Sequence, residues 1–583
     1  MKYWVPHSWS NTFERDGLLF FVQRTQEMLF HYSADIRRAP VHNTSTLTHE
    51  YLTLAKEVNL GKVKEYHLEK VYAEIKYSLL HDRILIDGLG QPFVENLFSQ
   101  LNACSKEKQN NLIQYINGII EKDYLKWAES YLIKHISCGT HKKEIEYGAR
   151  SWISDLVMRG YTREFVYSYI EEKLVNGSLS SIAELSDFFS RFDFKKREYK
   201  VYIQISKAVV PYTEVLNSRL SLCFENDGNF QLLDDKTKYK TCFFQLEALD
   251  HYKAATYAYR QANIFCKYYC YLSNKRKNLL YKHCCVVEQV SNSPHYLPIV
   301  PTGFFSKEFS SDEQIIEIMD SVIMGLNENS HSGRRTIEKA IDLHNSAIRQ
   351  QLPKDGFVNL WSVLEVLCPS GINKSKIDLV LSSIVPVLQN DYFPTLFESI
   401  YCDLKDNLPI SIFRDLYGSI NASNIIEQTA YCCLLPEFEE LRERTFKHLS
   451  AFPIIRDKIY NLYVLRNNRK ALFDLSAKYR QRVEWHLYRL YRTRNAIVHA
   501  GTANTHVQVL GEHLHSYVDS VLNELAFKMA QNKALSNSNS VIVDTSLLIR
   551  QKQDYFSNDG CITSSDIGFL LKDYYYVSSN ADE

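Results

Sequence analysis

Glycine and proline are scarce in this chain, at 20 and 14 of its 583 residues. Both residues punctuate regular structure, so their shortage argues against a turn-dense sandwich or barrel and favours long helices. Charge of one sign is also missing, because 68 lysines and arginines face 68 aspartates and glutamates. No global electrostatic footprint of nucleic-acid binding is present, and any basic surface has to be local. No apolar run reaches the length of a membrane span. The opening MKYWVPHSWSNTFERDG lacks the basic stretch and apolar core of a secretory leader. The chain also lacks a Walker-type phosphate loop, an HExxH pair, a dinucleotide glycine pattern and a nucleophile elbow. These absences argue against the common nucleotide-dependent, zinc-protease and serine-hydrolase chemistries.

Cysteine is not scarce, but its 13 copies are odd in number and irregularly spaced. That usage suits a reducing compartment better than a disulfide framework, so a cytoplasmic protein is expected. Hydrophobic residues at 45% and charged ones at 23% are globular proportions. The 39 tyrosines and 30 phenylalanines serve equally well in a core, at an interface rim or on a base-stacking platform.

The hydrophobic patterning divides the chain into four stretches. Residues 1–195 carry helical patterns, among them Phe93, Leu97, Leu101, Ile113, Ile116 and Ile120 at steps of three and four. GLLFFVQRTQEMLF near the start fits either a strand or a helix. Residues 196–310 show the β-branched and aromatic runs YKVYIQISKAVV, KTCFFQL and CCVVEQV around one long helical segment, which predicts an α+β middle region. VSNSPHYLPIVPTGFFSKEFSSDEQ reads as a linker.

Residues 332–530 return to helix. Ile337, Ile341, Ile348 and Leu352 are expected on one face, with Pro353 marking the end of that helix. Phe357, Leu360, Trp361, Leu364 and Leu367 form a second stripe, and Val507, Leu510, Leu514, Val518, Val521 and Leu525 a third. SNSNS then reads as a flexible spacer, and residues 531–583 as a polar C-terminal tail. The fold class expected is mainly α, with an α+β N-terminal or middle region and a C-terminal helical bundle.

One stretch carries chemistry. In YRLYRTRNAIVHAG, residues 488–501, taking about 100° per residue from Val483 places Leu487, Leu490, Ile497 and Val498 in one apolar arc. Arg494 falls inside it. A permanently charged guanidinium there requires a partner, a cleft or an interface. Asn495 and His499 are four apart and share a face, where the amide could orient the imidazole. Gly501 is a plausible helix C-cap, and the negative end of the helix dipole favours a protonated His499. An imidazole working near neutrality suits general acid/base chemistry.

RNAIVH resembles the Arg, polar residue, three mostly apolar residues, His signature of HEPN ribonucleases. FVNLWSVLEVL upstream, with its spacing to this helix, is similar to the Apea-like HEPN branch of bacterial anti-phage defence proteins. The resemblance covers about 200 residues and implies that the C-terminal bundle is of HEPN type. It implies a metal-independent endoribonuclease, toxin-like and acting by abortive infection, in which a 2′-hydroxyl attacks the neighbouring phosphate. His499 would move the proton, Arg494 would stabilise charge on phosphorus, and Asn495 would hold the imidazole. The resemblance further implies a homodimer with a composite site and an RNA substrate, with tRNA among the candidates. A phage-derived trigger sensed by the N-terminal region follows from the same likeness. No cofactor, metal or membrane partner is expected. The alternative is a non-catalytic HEPN dimerisation or scaffold module, or an RNA-binding regulator.

Glu365, one turn after Trp361, is positioned to reach Arg494 or His499, either as support for the site or as a structural ion pair. His344 reads as a satisfied core histidine. Lys275, Arg276 and Lys277, next to several tyrosines, form a weak candidate RNA contact or simply an exposed loop. Cys266, Cys270, His283, Cys284 and Cys285 faintly suggest a metal site, but their spacing matches no finger and suits core residues better.

Overall fold

The computed structural model describes residues 3, 13–30, 42–61, 63–176, 184–208, 222–224, 238–273, 279–298, 331–350, 353–369, 375–501 and 507–572, with isolated residues between 319 and 326. The chain is mostly helical with one small antiparallel sheet. Among the described residues, no helix is long and apolar enough to cross a membrane.

The N-terminal part consists of α1 (Phe13–Phe30), α2 (Thr44–Asn59), α3 (Tyr66–His81), α4 (Arg83–Leu89), α5 (Gln91–Ala103), α6 (Lys106–Ile120), α7 (Tyr124–Cys138), α8 (Lys142–Arg159), α9 (Arg163–Ile170) and α10 (Leu185–Ser190). The ambiguous GLLFF stretch is helical, and α1 is buried from Gly17 to Leu29. A helix buried on all sides shows no clean amphipathic period, which explains the ambiguity. Gly17 lets it approach α7 closely, since a Cβ there would lie 2.4 Å from the Ile136 carbonyl oxygen. The charges of α1 are paired: Arg24 with Glu27 and Glu146, and Glu27 with Lys458, which also holds Asp403. Leu97, Leu101, Ile113, Ile116 and Ile120 are buried as expected, but Phe93 is exposed. It stands in the first turn of α5, at the edge of the packed face.

The middle region is a five-stranded sheet ordered β2, β3, β1, β4, β5, formed by β1 (Arg197–Ser206), β2 (Leu222–Phe224), β3 (Tyr239–Ala248), β4 (His283–Glu288) and β5 (Pro294–Pro298). Every pairing is antiparallel. The long helix α11 (His251–Ser273) covers one face, packing Ala255, Ala258, Ala262 and Phe265 with Val201, Ile203 and Phe244. The first part of the expected linker is therefore a turn over residues 290–293 and a strand over Pro294–Pro298, and residues 299–314 lie outside the described residues.

The C-terminal helices are α12 (His331–Ile348), α13 (Pro353–Leu367), α14 (Lys376–Asn390), α15 (Tyr392–Asn407), α16 (Ile410–Gly418), α17 (Ile425–Leu434), α18 (Glu439–His448), α19 (Pro453–Tyr463), α20 (Arg469–Ala500), α21 (Val507–Gln531), α22 (Ser538–Tyr555) and α23 (Ser564–Leu570). The stripes expected on α13 and α21 are buried. On α12 only Ile337 of the named isoleucines is buried, while Ile341 and Ile348 are exposed and Ala340 and Ala347 make the contact instead. Leu352 lies outside the described residues. Pro353 begins α13, where its missing N–H costs nothing.

SNSNS is not a spacer. Asn537 caps α22 through a reciprocal capping box with Ser540, and α22 and α23 bury Val541, Ile542, Ile567 and Leu570. A cap motif and a flexible linker draw on the same polar residues, so composition alone does not separate them. One contiguous hydrophobic core runs from α1 through α23 and takes in both helical parts, while the sheet and α11 have a core of their own.

Candidate active site

Helix α20 carries RNAIVH at its C-terminal end. The Asn468 side chain accepts from the Ala471 amide at its start, and Gly501, at φ 64°, sends its N–H to the Ile497 carbonyl at 3.1 Å at its end. The predicted cap is present. Val483, Leu487 and Leu490 are fully buried and Ile497 partly so, but Val498 is exposed. The packed arc therefore ends before the last turn, where Val498 and His499 are exposed.

Arg494 sits at the rim, its side chain 18% exposed. Its Nη1 donates to Asn495 Oδ1 at 3.2 Å and its Nη2 stands 3.8 Å from Glu365 Oε1. That carboxylate oxygen also accepts from Trp361 Nε1 at 2.9 Å. Trp361 is fully buried and tilts against Tyr491, with ring centroids 5.5 Å apart. The rigid indole fixes the carboxylate, and the carboxylate faces the guanidinium. Glu365 thus stands between Trp361 and Arg494. With side chains 18% and 23% exposed the pair is partly buried, and 3.8 Å is too long for a hydrogen bond. Arg494 Nε is shielded from solvent and has no hydrogen-bond partner among the described residues.

Asn495 does not bond His499; its amide oxygen is taken by Arg494. His499 is exposed in the last turn. Arg494 and Asn495 are thus assembled, and His499 stands on the same helix end, open to solvent. Lys275, Arg276 and Lys277 lie outside the described residues.

A set of charged residues that sequence reasoning passed over lies one to two turns earlier. Arg489 bonds Glu50 of α2 and Glu74 of α3, and Arg492 also pairs with Glu50. Burial alone would raise the Glu50 carboxyl, but Arg489 and then Arg492 hold it well below the ordinary range. Burial and then the nearby Glu50 push Glu74 up, with Arg489 opposing. The N-terminal helices thereby clamp the helix that carries the motif. A two-arginine turn, Arg489 and Arg492, was the available signal.

His344 is half-buried, and its Nε2 faces His515 Nε2 at 2.9 Å and Asp519 Oδ1 at 3.0 Å. It is satisfied, as expected, but by two ionisable side chains of α21 rather than by core contacts. Cys266 and Cys284 lie between α11 and the sheet, whereas Cys285 points to the opposite face beside Tyr202 and Val287. Burial raises the Cys266 and Cys284 thiols to about 12, and Cys285 to about 11. Thiols split between the two faces of the sheet do not converge on one ion.

No family model matches this chain, and neither a curated protein nor a solved structure is similar to it.

Proposed function

We propose that the chain is a metal-independent endoribonuclease of the HEPN type, acting in anti-phage defence as a toxin-like enzyme. The observation that supports this most is the pairing of a fixed cation with a solvent-open base at one helix end. Arg494 is held at the rim by Glu365 and Asn495, with its Nε uncommitted, while His499 extends into solvent in the last turn.

In the proposed reaction an RNA 2′-hydroxyl attacks its own 3′-phosphate. His499 accepts the hydroxyl proton, and the P–O5′ bond breaks as a proton reaches the leaving 5′-oxygen. The products are a 2′,3′-cyclic phosphate and a 5′-hydroxyl end. Arg494 neutralises the extra negative charge on the pentacoordinate phosphorus, a role that suits a planar, permanently charged donor. A second copy of the helix end, supplied by a homodimer, provides the second proton-transfer group. The N-terminal helices that clamp α20 through Arg489 are in a position to transmit a trigger to it.

The test incubates purified protein with RNA, tRNA included, in the presence of chelator. Wild type is expected to give fragments with cyclic-phosphate ends. His499→Ala and Arg494→Ala are expected to lose about 10²-fold or more in rate with unchanged circular dichroism. Cleavage by His499→Ala at the wild-type rate would overturn the mechanism. Tight, salt-dependent RNA binding without products would identify a binding regulator instead.

A further inference from the structure

Three side chains from two helices meet at a single point away from the Arg494 site. His344 comes from α12, and His515 and Asp519 stand one turn apart on α21. The Nε2 atoms of the two histidines are 2.9 Å apart, His344 Nε2 is 3.0 Å from Asp519 Oδ1, and His515 Nε2 is 3.6 Å from that same oxygen. The ring centroids are 4.9 Å apart, so the imidazoles meet tip to tip rather than face to face.

The same three atoms also stand at the spacing of a metal-ligand set, all within 4.8 Å of one another. One N–H on His344 can serve His515 or Asp519. Protonating both rings sets two N–H groups against each other at 2.9 Å. A cation satisfies all three acceptors at once. A triangle with these sides has a circumscribed radius of about 1.9 Å, shorter than a metal–ligand bond, so a point about 2.1 Å from every donor exists. From that point the donors subtend angles of roughly 90–120°, within the tetrahedral to octahedral range.

We propose that His344, His515 and Asp519 form a divalent transition-metal site, with zinc as the representative ion. Two imidazole nitrogens and one carboxylate oxygen select this class over calcium and magnesium, which take oxygen ligands. Three protein ligands leave at least one coordination position open, and His344, 16% exposed against 8% for His515 and 10% for Asp519, marks the side from which water or an exogenous ligand enters. The ion ties α12 to α21 across 171 residues of chain. The proposal does not depend on the ribonuclease assignment, whose residues lie on α13 and α20.

The experiment uses the full chain without a polyhistidine tag, stripped with chelator and titrated with zinc alone, then with cobalt as a spectroscopic probe. One equivalent per chain is expected, with cobalt absorption of a nitrogen and oxygen donor set and a rise in thermal midpoint on zinc addition. His515→Ala and His344→Asn are expected to weaken binding at least about 100-fold and to abolish the midpoint rise. His344 is only half-buried, so His344→Asn keeps the test valid if His515→Ala misfolds. Failure of wild type to bind zinc below about 100 μM, or equal binding by the folded His344→Asn variant, would overturn the site and leave a proton-sharing triad.

Discussion

Arg489 and Glu50, 439 residues apart, make a two-pronged ion pair. Arg489 Nε and Nη2 both reach the Glu50 carboxylate, at 3.0 and 2.8 Å to its Oε2, and Nη2 also reaches Glu74 Oε2 at 3.0 Å. This is the main polar tie between the N-terminal helices and the helix bearing RNAIVH. Removing one partner of a buried ion pair costs more than the pair itself contributes, because the remaining charge keeps its desolvation penalty.

Arg489→Met therefore leaves the buried Glu74 carboxylate without its cation and the partly buried Glu50 with Arg492 alone. It is expected to cost about 3–5 kcal/mol, read as a fall in the urea unfolding midpoint. Adding Glu50→Gln and Glu74→Gln to Arg489→Met is expected to restore part of the loss. Full stability of the single variant would show that the clamp is not formed in solution.

Glu365 anchors Arg494 electrostatically but touches no reacting atom. Glu365→Gln keeps an oxygen for the Trp361 indole and removes the charge facing the guanidinium. The expected result is a drop in RNA cleavage of about tenfold, equivalent to about 1.4 kcal/mol. The melting temperature should stay close to wild type, since the 3.8 Å contact is not a hydrogen bond and Arg494 keeps Asn495 as a partner. A large loss of stability with unchanged cleavage would make Glu365 purely structural.

Where one face of an element meets the core, the sequence predicted it well. The stripes on α13 and α21 follow a helical period and are buried, and strands β1, β3 and β4 fall where the aromatic and β-branched runs lie. Legibility failed where an element is covered on more than one side. α1 is buried all round, and α20 is packed on its apolar arc and again through Arg489, which points well outside that arc. Such a second contact face depends on segments hundreds of residues away and leaves no local period. The Asn537 cap was misread because capping residues and linker residues are chemically the same. At the candidate site the residues of one helix, and its neighbour Glu365, were legible. The use of the Asn495 amide for Arg494 instead of His499, and the convergence of His344 with His515 and Asp519, were not, because they depend on rotamers and on how helices cross.

His67 and His251, two of the histidines that burial holds below their ordinary value, are expected to make the fold sensitive to acid. Burial, then Arg492 and Lys64, push His67 down to about 4, and burial, then His295 and Arg191, push His251 down to about 3. His251 lies face to face with His295, with centroids 4.0 Å apart and planes 2° from parallel. Each ring holds a proton less tightly folded than unfolded, so the unfolded chain protonates first as pH falls. Stability is complete above the ordinary value of 6.5 and is lost as pH falls from there through about 4 and about 3. From pH 7.5 to pH 5 each histidine is expected to cost on the order of 1–2 kcal/mol, read from urea midpoints. His251→Phe, which keeps the stacked face, should reduce that slope; an unaltered slope would remove His251 as a cause.

Gly501 connects backbone conformation to the proposed chemistry. Its φ of 64° is a left-handed value, and its N–H closes the last turn onto Ile497, two residues before His499. Among the described residues no neighbouring atom lies within 4 Å of the position a Cβ would take, and the left-handed backbone strains a side chain there. Gly501→Ala should cost about 1 kcal/mol, and Gly501→Asn less, because asparagine tolerates this region better. The strain falls on the turn carrying His499. Amide hydrogen exchange over residues 497–501 should accelerate in Gly501→Ala, and RNA cleavage should fall in the order glycine, asparagine, alanine. If cleavage were equal across the three while exchange still accelerated, a well-ordered His499 would not be required for the reaction, and the acid/base role assigned to it would have to pass to another group.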